Sequence, residues 1–169
     1  MRTPLLQALG DVARLPGRLP ASAALLVLRI ALAVPFWRSG LTKWDGFLSL
    51  SDRAVFLFSD VFRLHIFGAS YAYPAPALMA LLAGVGEIVL PILLVLGFGT
   101  RLAAFGILMM TAIIQLTVPE GWANFHLPWA AMALALMAFG PGRLSVDHML
   151  ATVFGGRPGD LPRRVPVSG

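Results

Sequence analysis

The chain has 169 residues, of which 58% are hydrophobic and only 12% are charged, whereas about 25% of residues are charged in an ordinary soluble domain. Its net charge of +5 is spread between long apolar runs and the tails, which a membrane topology explains better than binding to nucleic acid. Because the sequence contains no cysteine, thiolate metal sites, disulfide bonds and thiol redox chemistry are excluded.

Four apolar segments have lengths typical of membrane spans, at residues 21–37, 75–96, 102–118 and 123–139. The predicted fold is therefore all-α, a four-helix transmembrane bundle within a membrane domain of residues 21–150. Residues 1–20 form an N-terminal segment, where Thr3 and Pro4 are typical of the start of a short interfacial helix. The basic tail at residues 151–169 is rich in Pro, Gly and Arg and is expected to be disordered.

The distribution of Lys and Arg predicts the orientation of the chain. With four spans, both termini and the loop between the second and third spans share one side. That side carries eight Lys or Arg residues and the opposite side carries four, while Arg29 lies within a span. The positive-inside rule then places both termini in the cytoplasm of a bacterial inner membrane, and all four tryptophans at the outer interface.

The loop between the first two spans carries a helical pattern of its own. Over residues 47–64, most polar side chains fall on one face and an apolar row that includes Leu50, Leu57 and Leu64 falls on another. The pattern predicts a short amphipathic helix in this outer loop. Two placements remain open, one flat on the membrane surface and one capping the bundle.

Two charged residues, Arg29 and Glu87, fall inside predicted spans. A charge at membrane depth costs on the order of 3 kcal/mol or more, and counting from the ends of the spans predicts that these two pair. The pair is either a structural ion pair that fixes helix register or part of a ligand-binding or proton-relaying polar core. Thr111 and Gln115, one helical turn apart, are further candidates for that core or else hydrogen-bond between helices.

A second group of candidates lies at the predicted outer end of the bundle. We expect an outer pocket, with interfacial anchoring as the alternative, and its candidate residues are Lys43, Trp44, Trp122, Asn124 and His126. A metal or haem site of His65 and His126 is disfavoured, because haem histidines in bundles usually project from well inside two helices. No metal ligand set and no self-contained catalytic motif is predicted.

Three parts of the sequence resemble the DoxX family of small four-helix membrane proteins over about residues 25–150. They are Leu28-Arg29 with Phe36, Gly40 and Lys43; Glu87 with Gly97, Gly99, Thr100 and Arg101; and Gly140-Pro141-Gly142-Arg143 with Ser145 and Asp147. Some members of that family are linked to thiosulfate oxidation that feeds electrons to quinone, and others to oxidoreductase complexes that handle oxidative stress.

The resemblance implies an accessory subunit of a membrane oxidoreductase or stress-response system, without an intrinsic cofactor and with quinone as the candidate ligand. The alternatives are a small-molecule binding or transport module and a structural anchor for a partner protein. The implied partners are the lipid bilayer, redox or stress-response proteins, and a second copy of the chain; nucleic acid is not expected.

Overall fold

Six α-helices and four short strands make up the computed structural model, which describes residues 20–154. In chain order the elements are α1 (Ala21–Leu41), β1 (Trp44–Gly46), β2 (Ser49–Leu50), α2 (Asp52–Phe56) with a π-helical turn (Leu57–Val61), β3 (Arg63–Ile66), β4 (Ala69–Ala72), α3 (Pro76–Leu96), α4 (Thr100–Thr117), a 3-10 turn (Pro119–Gly121), a second π-helical turn (Trp122–His126), α5 (Leu127–Phe139) and α6 (Val146–Phe154). The predicted N-terminal segment up to residue 19 and the predicted tail from residue 155 lie outside the described residues, whereas α6 includes residues 151–154.

Three of the described helices, α1, α3 and α4, are long and apolar enough to cross a membrane. The predicted all-α fold is confirmed only in part, because the described residues are mostly helical but also form two small sheets. The fourth predicted span is represented by α5, which has 13 residues and follows directly on a π-helical turn. The four-span bundle and its orientation therefore remain predictions.

A hydrophobic cluster joins α1, α3, α4 and α5. Its fully or nearly fully buried members are Leu32, Ala33, Phe36, Leu94, Ala103, Ala104, Ile107, Ala133 and Leu136. Large apolar side chains on the opposite faces of the same helices are exposed, among them Leu102 and Ile113. Such faces suit hydrocarbon, because lipid tails are as apolar as a leucine side chain.

The segment between α1 and α3, here called the insertion (residues 42–75), differs from the single amphipathic helix expected over residues 47–64. It holds two antiparallel hairpins, β1–β2 and β3–β4, with a helical stretch between them that covers residues 52–61. The helix begins at Asp52 and not at residue 47. The Ser51 side chain caps its N-terminus by accepting a hydrogen bond from the Ala54 N–H. It ends at Phe62, whose backbone is extended.

Candidate functional site

Gly40 sets the contact between α1 and α3. A Cβ atom at this position would lie 2.9 Å from the carbonyl oxygen of Glu87, a distance that carbon and oxygen atoms do not tolerate without a shift. Glycine therefore permits the two helices to approach closely at the level of Glu87. This contact also fixes which residues of α1 can reach the Glu87 side chain.

Lys43, just beyond the end of α1, is the partner of Glu87. Its Nζ donates to Glu87 Oε2 at 2.5 Å and to Ser39 Oγ at 3.1 Å. The two charged side chains are only 12% and 6% exposed. The pair is therefore a largely buried ion pair, in which each charge offsets part of the dehydration cost of the other. The predicted pairing of Glu87 with Arg29 is wrong.

Arg29 instead contacts the C-terminal end of α3. Its guanidinium donates to the carbonyl oxygens of Leu94 and Val95, each at 3.1 Å, and to the carbonyl of Leu144. Leu94 lies seven residues beyond Glu87, or about 10 Å along the helix. Counting from the span ends misplaced Arg29 because it ignored the register that Gly40 imposes and the reach of a long arginine side chain.

A cavity of about 360 Å³ lies beside the Lys43–Glu87 pair, between α1, α3, α4 and the insertion. Most of its wall is apolar and includes five aromatic rings: Phe36, Phe58, Phe62, Tyr73 and Trp129. The polar groups in the wall are the side chains of Ser39, Lys43, Glu87 and Thr117 and the hydroxyl of Tyr73. An aromatic, mostly apolar cavity with polar groups at few positions is typical of a small-molecule site.

The cavity approaches the apolar outer surface between α3 and α4. Leu82 and Ile113 both line it, and they are 56% and 50% exposed. On the side of the insertion, the cavity is covered by Phe58 and Tyr73, whose rings lie 5.1 Å apart. Tyr73 also shares a hydrogen bond of 2.5 Å with the Thr117 hydroxyl, which ties the insertion to the end of α4. The lining residues of α3 and α4 are thus more exposed than those of the insertion, Phe58 and Tyr73, which are buried.

His126 and Gln115 form a separate polar cluster. Gln115 Nε2 donates to the Pro119 carbonyl at 3.1 Å, so its Oε1 is the acceptor for His126 Nδ1 at 2.6 Å. The imidazole is buried and lies over Gly121, where a Cβ atom would come within 2.6 Å of it. This arrangement assigns the proton of a neutral His126 ring to Nδ1.

Trp129 links this cluster to the cavity. Its ring lines the cavity and lies 5.1 Å from Phe36 and 5.5 Å from His126, measured between ring centroids. The residues predicted to form one outer pocket are therefore separated. Lys43 lines the cavity, whereas His126 packs against Trp129 and does not line it.

The remaining predicted candidates have other surroundings. The Trp44 indole packs against α3, where a Cβ at Gly84 would lie 3.0 Å from it. Trp122 and Asn124 are exposed. The Thr111 hydroxyl donates to the Ile107 carbonyl of its own helix. Within residues 20–154, none of these four candidates is among the residues that line the cavity.

Sequence reasoning missed the aromatic residues that the insertion contributes to the cavity, Phe58, Phe62 and Tyr73. These residues appeared as part of a surface helix or a loop, because the packing of Phe58 near Ala80 of α3 and the bond of Tyr73 to Thr117 of α4 depend on a fold of the insertion that was not predicted. Ser39 was also missed, although it lies four residues before Lys43, the spacing at which helical side chains meet.

Asp147 has a structural role at the start of α4. Its carboxylate accepts hydrogen bonds from the N–H groups of Gly99 and Thr100, at 2.8 Å and 3.0 Å, and so caps that helix. Burial alone would raise the pKa of Asp147, but these hydrogen bonds, together with the nearby charge of Arg29, lower it below its ordinary value. Asp147 and Arg29 therefore secure the junction of α3, α4 and α6.

The DoxX family model matches residues 24–120, which is more than half of the sequence. The chain belongs to the DoxX family. An uncharacterized protein of Haemophilus influenzae is 30% identical to the DoxX chain over 145 residues, which cover 79% of this chain and 87% of that protein. No solved structure matches the chain significantly. The region of this DoxX protein that the family model matches, residues 24–120, includes Lys43, Glu87 and most of the cavity-lining residues, but not His126 or Trp129.

Within residues 20–154, no group of three or more His, Cys, Asp or Glu side chains is arranged to hold a metal ion. The polar groups in the wall of the apolar cavity are an ammonium, a carboxylate and three hydroxyls.

Proposed function

We propose that this DoxX chain binds a small membrane-dissolved molecule of the quinone class in the cavity beside Lys43 and Glu87, as an accessory subunit of a membrane oxidoreductase. The observation that carries the proposal is the combination of an aromatic, apolar cavity with a buried ion pair in its wall. An entrance between α3 and α4 would admit a ligand from the hydrocarbon layer.

The cavity suits the size and polarity of a quinone head group. Its volume of about 360 Å³ falls within the range of about 300–1,000 Å³ found for small-molecule sites. A quinone ring is flat and carries carbonyl oxygens that only accept hydrogen bonds. Phe36 and Trp129 offer aromatic faces for the ring, and the Lys43 ammonium offers N–H donors for a carbonyl oxygen.

The ion pair gives the site a way to hold a proton donor in an apolar place. Glu87 compensates the charge of Lys43, so the ammonium stays available at membrane depth without an isolated buried charge. Ser39 holds the same ammonium from the helix side. In this proposal Lys43 positions the ligand and Glu87 positions Lys43.

The proposal assigns electron transfer to a partner protein. The sequence has no cysteine, and the site described above consists of hydrogen-bonding groups and aromatic rings. The resemblance to oxidoreductase-associated DoxX proteins supports a role as a subunit, in either redox metabolism or stress response. A transporter of small polar molecules is less well supported, because the cavity wall is mostly apolar. A purely structural anchor does not account for the cavity.

The proposed topology has four spans in the bacterial inner membrane and both termini in the cytoplasm. The π-helical turn Trp122–His126 continues directly into α5, and residues 122–139 together reach the length of a short span. The excess of Lys and Arg on the side of the termini supports the orientation. The insertion and the Lys43 end of the cavity then face the periplasm.

The test is to purify the protein in a mild detergent and to quantify extracted quinone per protein by mass spectrometry. Ile113→Trp fills the mouth of the cavity from an exposed position, and Met109→Trp is the matched control. Met109 lies one turn earlier on the same face of α4, is 43% exposed and does not line the cavity.

We expect quinone to copurify with the wild type and with Met109→Trp. Ile113→Trp should weaken quinone binding about tenfold, equivalent to about 1.4 kcal/mol. Equal retention by the two tryptophan variants would contradict binding in this cavity. A wild-type protein that carries no quinone, and takes none up from quinone-loaded vesicles, would contradict the proposed ligand class.

A further inference from the structure

The tip of the β3–β4 hairpin presents a bare phenyl ring. Phe67 is fully exposed and has a positive φ of 50°, followed by Gly68 with φ 81°. Two-residue hairpin turns with positive φ at both positions usually carry Asn-Gly or Asp-Gly, and a bulky residue in this conformation is uncommon. Phe67 therefore occupies a strained turn position, and its ring is not covered by any other part of residues 20–154.

The contacts of the hairpin place it against the end of α4. Strand β3 packs against α4, and His65 Nδ1 lies 3.2 Å from the Leu116 carbonyl oxygen. Tyr73, just after β4, bonds to Thr117. Phe67 follows His65 by two residues, so the tip of the hairpin lies near the last turn of α4.

The surface next to this tip is apolar and belongs to a helix able to span the membrane. Ile113 and Leu116 are 50% and 39% exposed on α4, and Leu116 is the residue whose carbonyl His65 contacts. Phe67, two residues beyond His65, therefore lies near an apolar surface of α4 that suits hydrocarbon. The β1–β2 hairpin has a similar tip, where Phe47 is fully exposed and Leu48 has a φ of 58°.

We propose that Phe67 inserts into the interfacial layer of the membrane beside the end of α4 and anchors the insertion to the lipid surface. Lipid is the occupant favoured here, because the exposed ring lies near the apolar surface of a helix able to span the membrane. Phenylalanine is also among the side chains that interfacial segments bury at the boundary between head groups and acyl chains. The anchoring holds the insertion, and with it the cover of the cavity, at a fixed height. This inference does not depend on the identity of any ligand.

The absence of cysteine from the sequence allows a direct test with a single spin label. Phe67→Cys is labelled with a nitroxide in protein reconstituted into lipid nanodiscs. The accessibility of the label to oxygen, which concentrates in lipid, is compared with its accessibility to a water-soluble nickel chelate. Met109→Cys on the lipid-facing side of α4 and Asp60→Cys on the exposed side of the insertion provide the two reference values.

We expect the label at residue 67 to favour oxygen over nickel, with a ratio close to that at residue 109 and clearly above that at residue 60. All three positions are exposed, so the labels leave packing intact, and gel filtration checks that each variant is folded. A ratio at residue 67 equal to that at residue 60 would overturn the inference. The tip would then stand in water, where a soluble partner is the alternative occupant.

Discussion

Replacing one partner of the Lys43–Glu87 pair should destabilise the folded protein far more than replacing both. The side chains are 12% and 6% exposed, so a charge left alone would be largely dehydrated. Removing one partner of a buried pair costs about 3–5 kcal/mol, whereas replacing both by apolar residues of similar volume is often about neutral. Lys43→Met and Glu87→Leu each remove one charge, and the double variant removes both.

Thermal unfolding followed by tryptophan fluorescence in one detergent measures the effect, since the chain has four tryptophans and Trp44 packs one turn from Glu87. For proteins of this size, 1 kcal/mol corresponds to a shift in Tm of about 2–4 °C. Each single variant should therefore melt roughly 6–20 °C below the wild type. The double variant should melt within about 4 °C of it.

Arg38→Met is the control for loss of a cation, because Arg38 belongs to α1 and is exposed. It should change the Tm by no more than about 2 °C, as expected for a surface substitution. The reasoning would be refuted if the losses in the two single variants were small and simply summed in the double variant. Additive losses would mean that the two charges are not coupled in the folded protein.

Three further predictions concern the junction at the C-terminal end of α3. Arg29→Met leaves the carbonyls of α3 without their donor and should destabilise by several kcal/mol, at about 1–3 kcal/mol for each unsatisfied group, while quinone retained per folded protein stays unchanged. The pKa of Asp147 is lowered on folding, so the stability that its carboxylate contributes is present above its ordinary value of 3.8 and is lost as the pH falls below that value. When Tm is measured between pH 6 and pH 3, in roughly half-unit steps, it should fall less steeply with pH in Asp147→Asn than in the wild type. Gly97→Ala should prevent folding or lower Tm strongly, because a Cβ there would lie within 3 Å of both Arg29 and Ser145. Gly99→Ala meets nothing within 4 Å and should cost only backbone strain, about 1–2 kcal/mol; equal effects of the two alanines would contradict the packing described for Gly97.

The membrane-capable helices were predictable because their signal is composition. The runs that became α1, α3 and α4 are apolar over a whole span, and this property does not depend on the rest of the fold. The two hairpins of the insertion were not predictable by the usual turn signals. Their tips place Leu48 and Phe67 at positive φ, where glycine or asparagine would have marked a turn.

The candidate site shows a different limit of sequence reasoning. Lys43 and Glu87 were both identified as functional candidates, but they were assigned to two separate sites. Which residues of two helices meet depends on a register that the spans alone do not define. Here the register follows from the close approach at Gly40, a single glycine whose role becomes visible only when its neighbour on α3 is known.

The central claim is that a quinone-class molecule binds in the cavity beside Lys43 and Glu87. Photo-crosslinking with an azido-quinone in nanodiscs, followed by mapping of the labelled peptides, tests it most directly. The account predicts adducts on the cavity-lining parts of α3 and α4, residues 79–87 and 110–117, that disappear when excess unlabelled quinone competes. Adducts spread evenly over the lipid-facing helices, or adducts that resist competition, would contradict the claim.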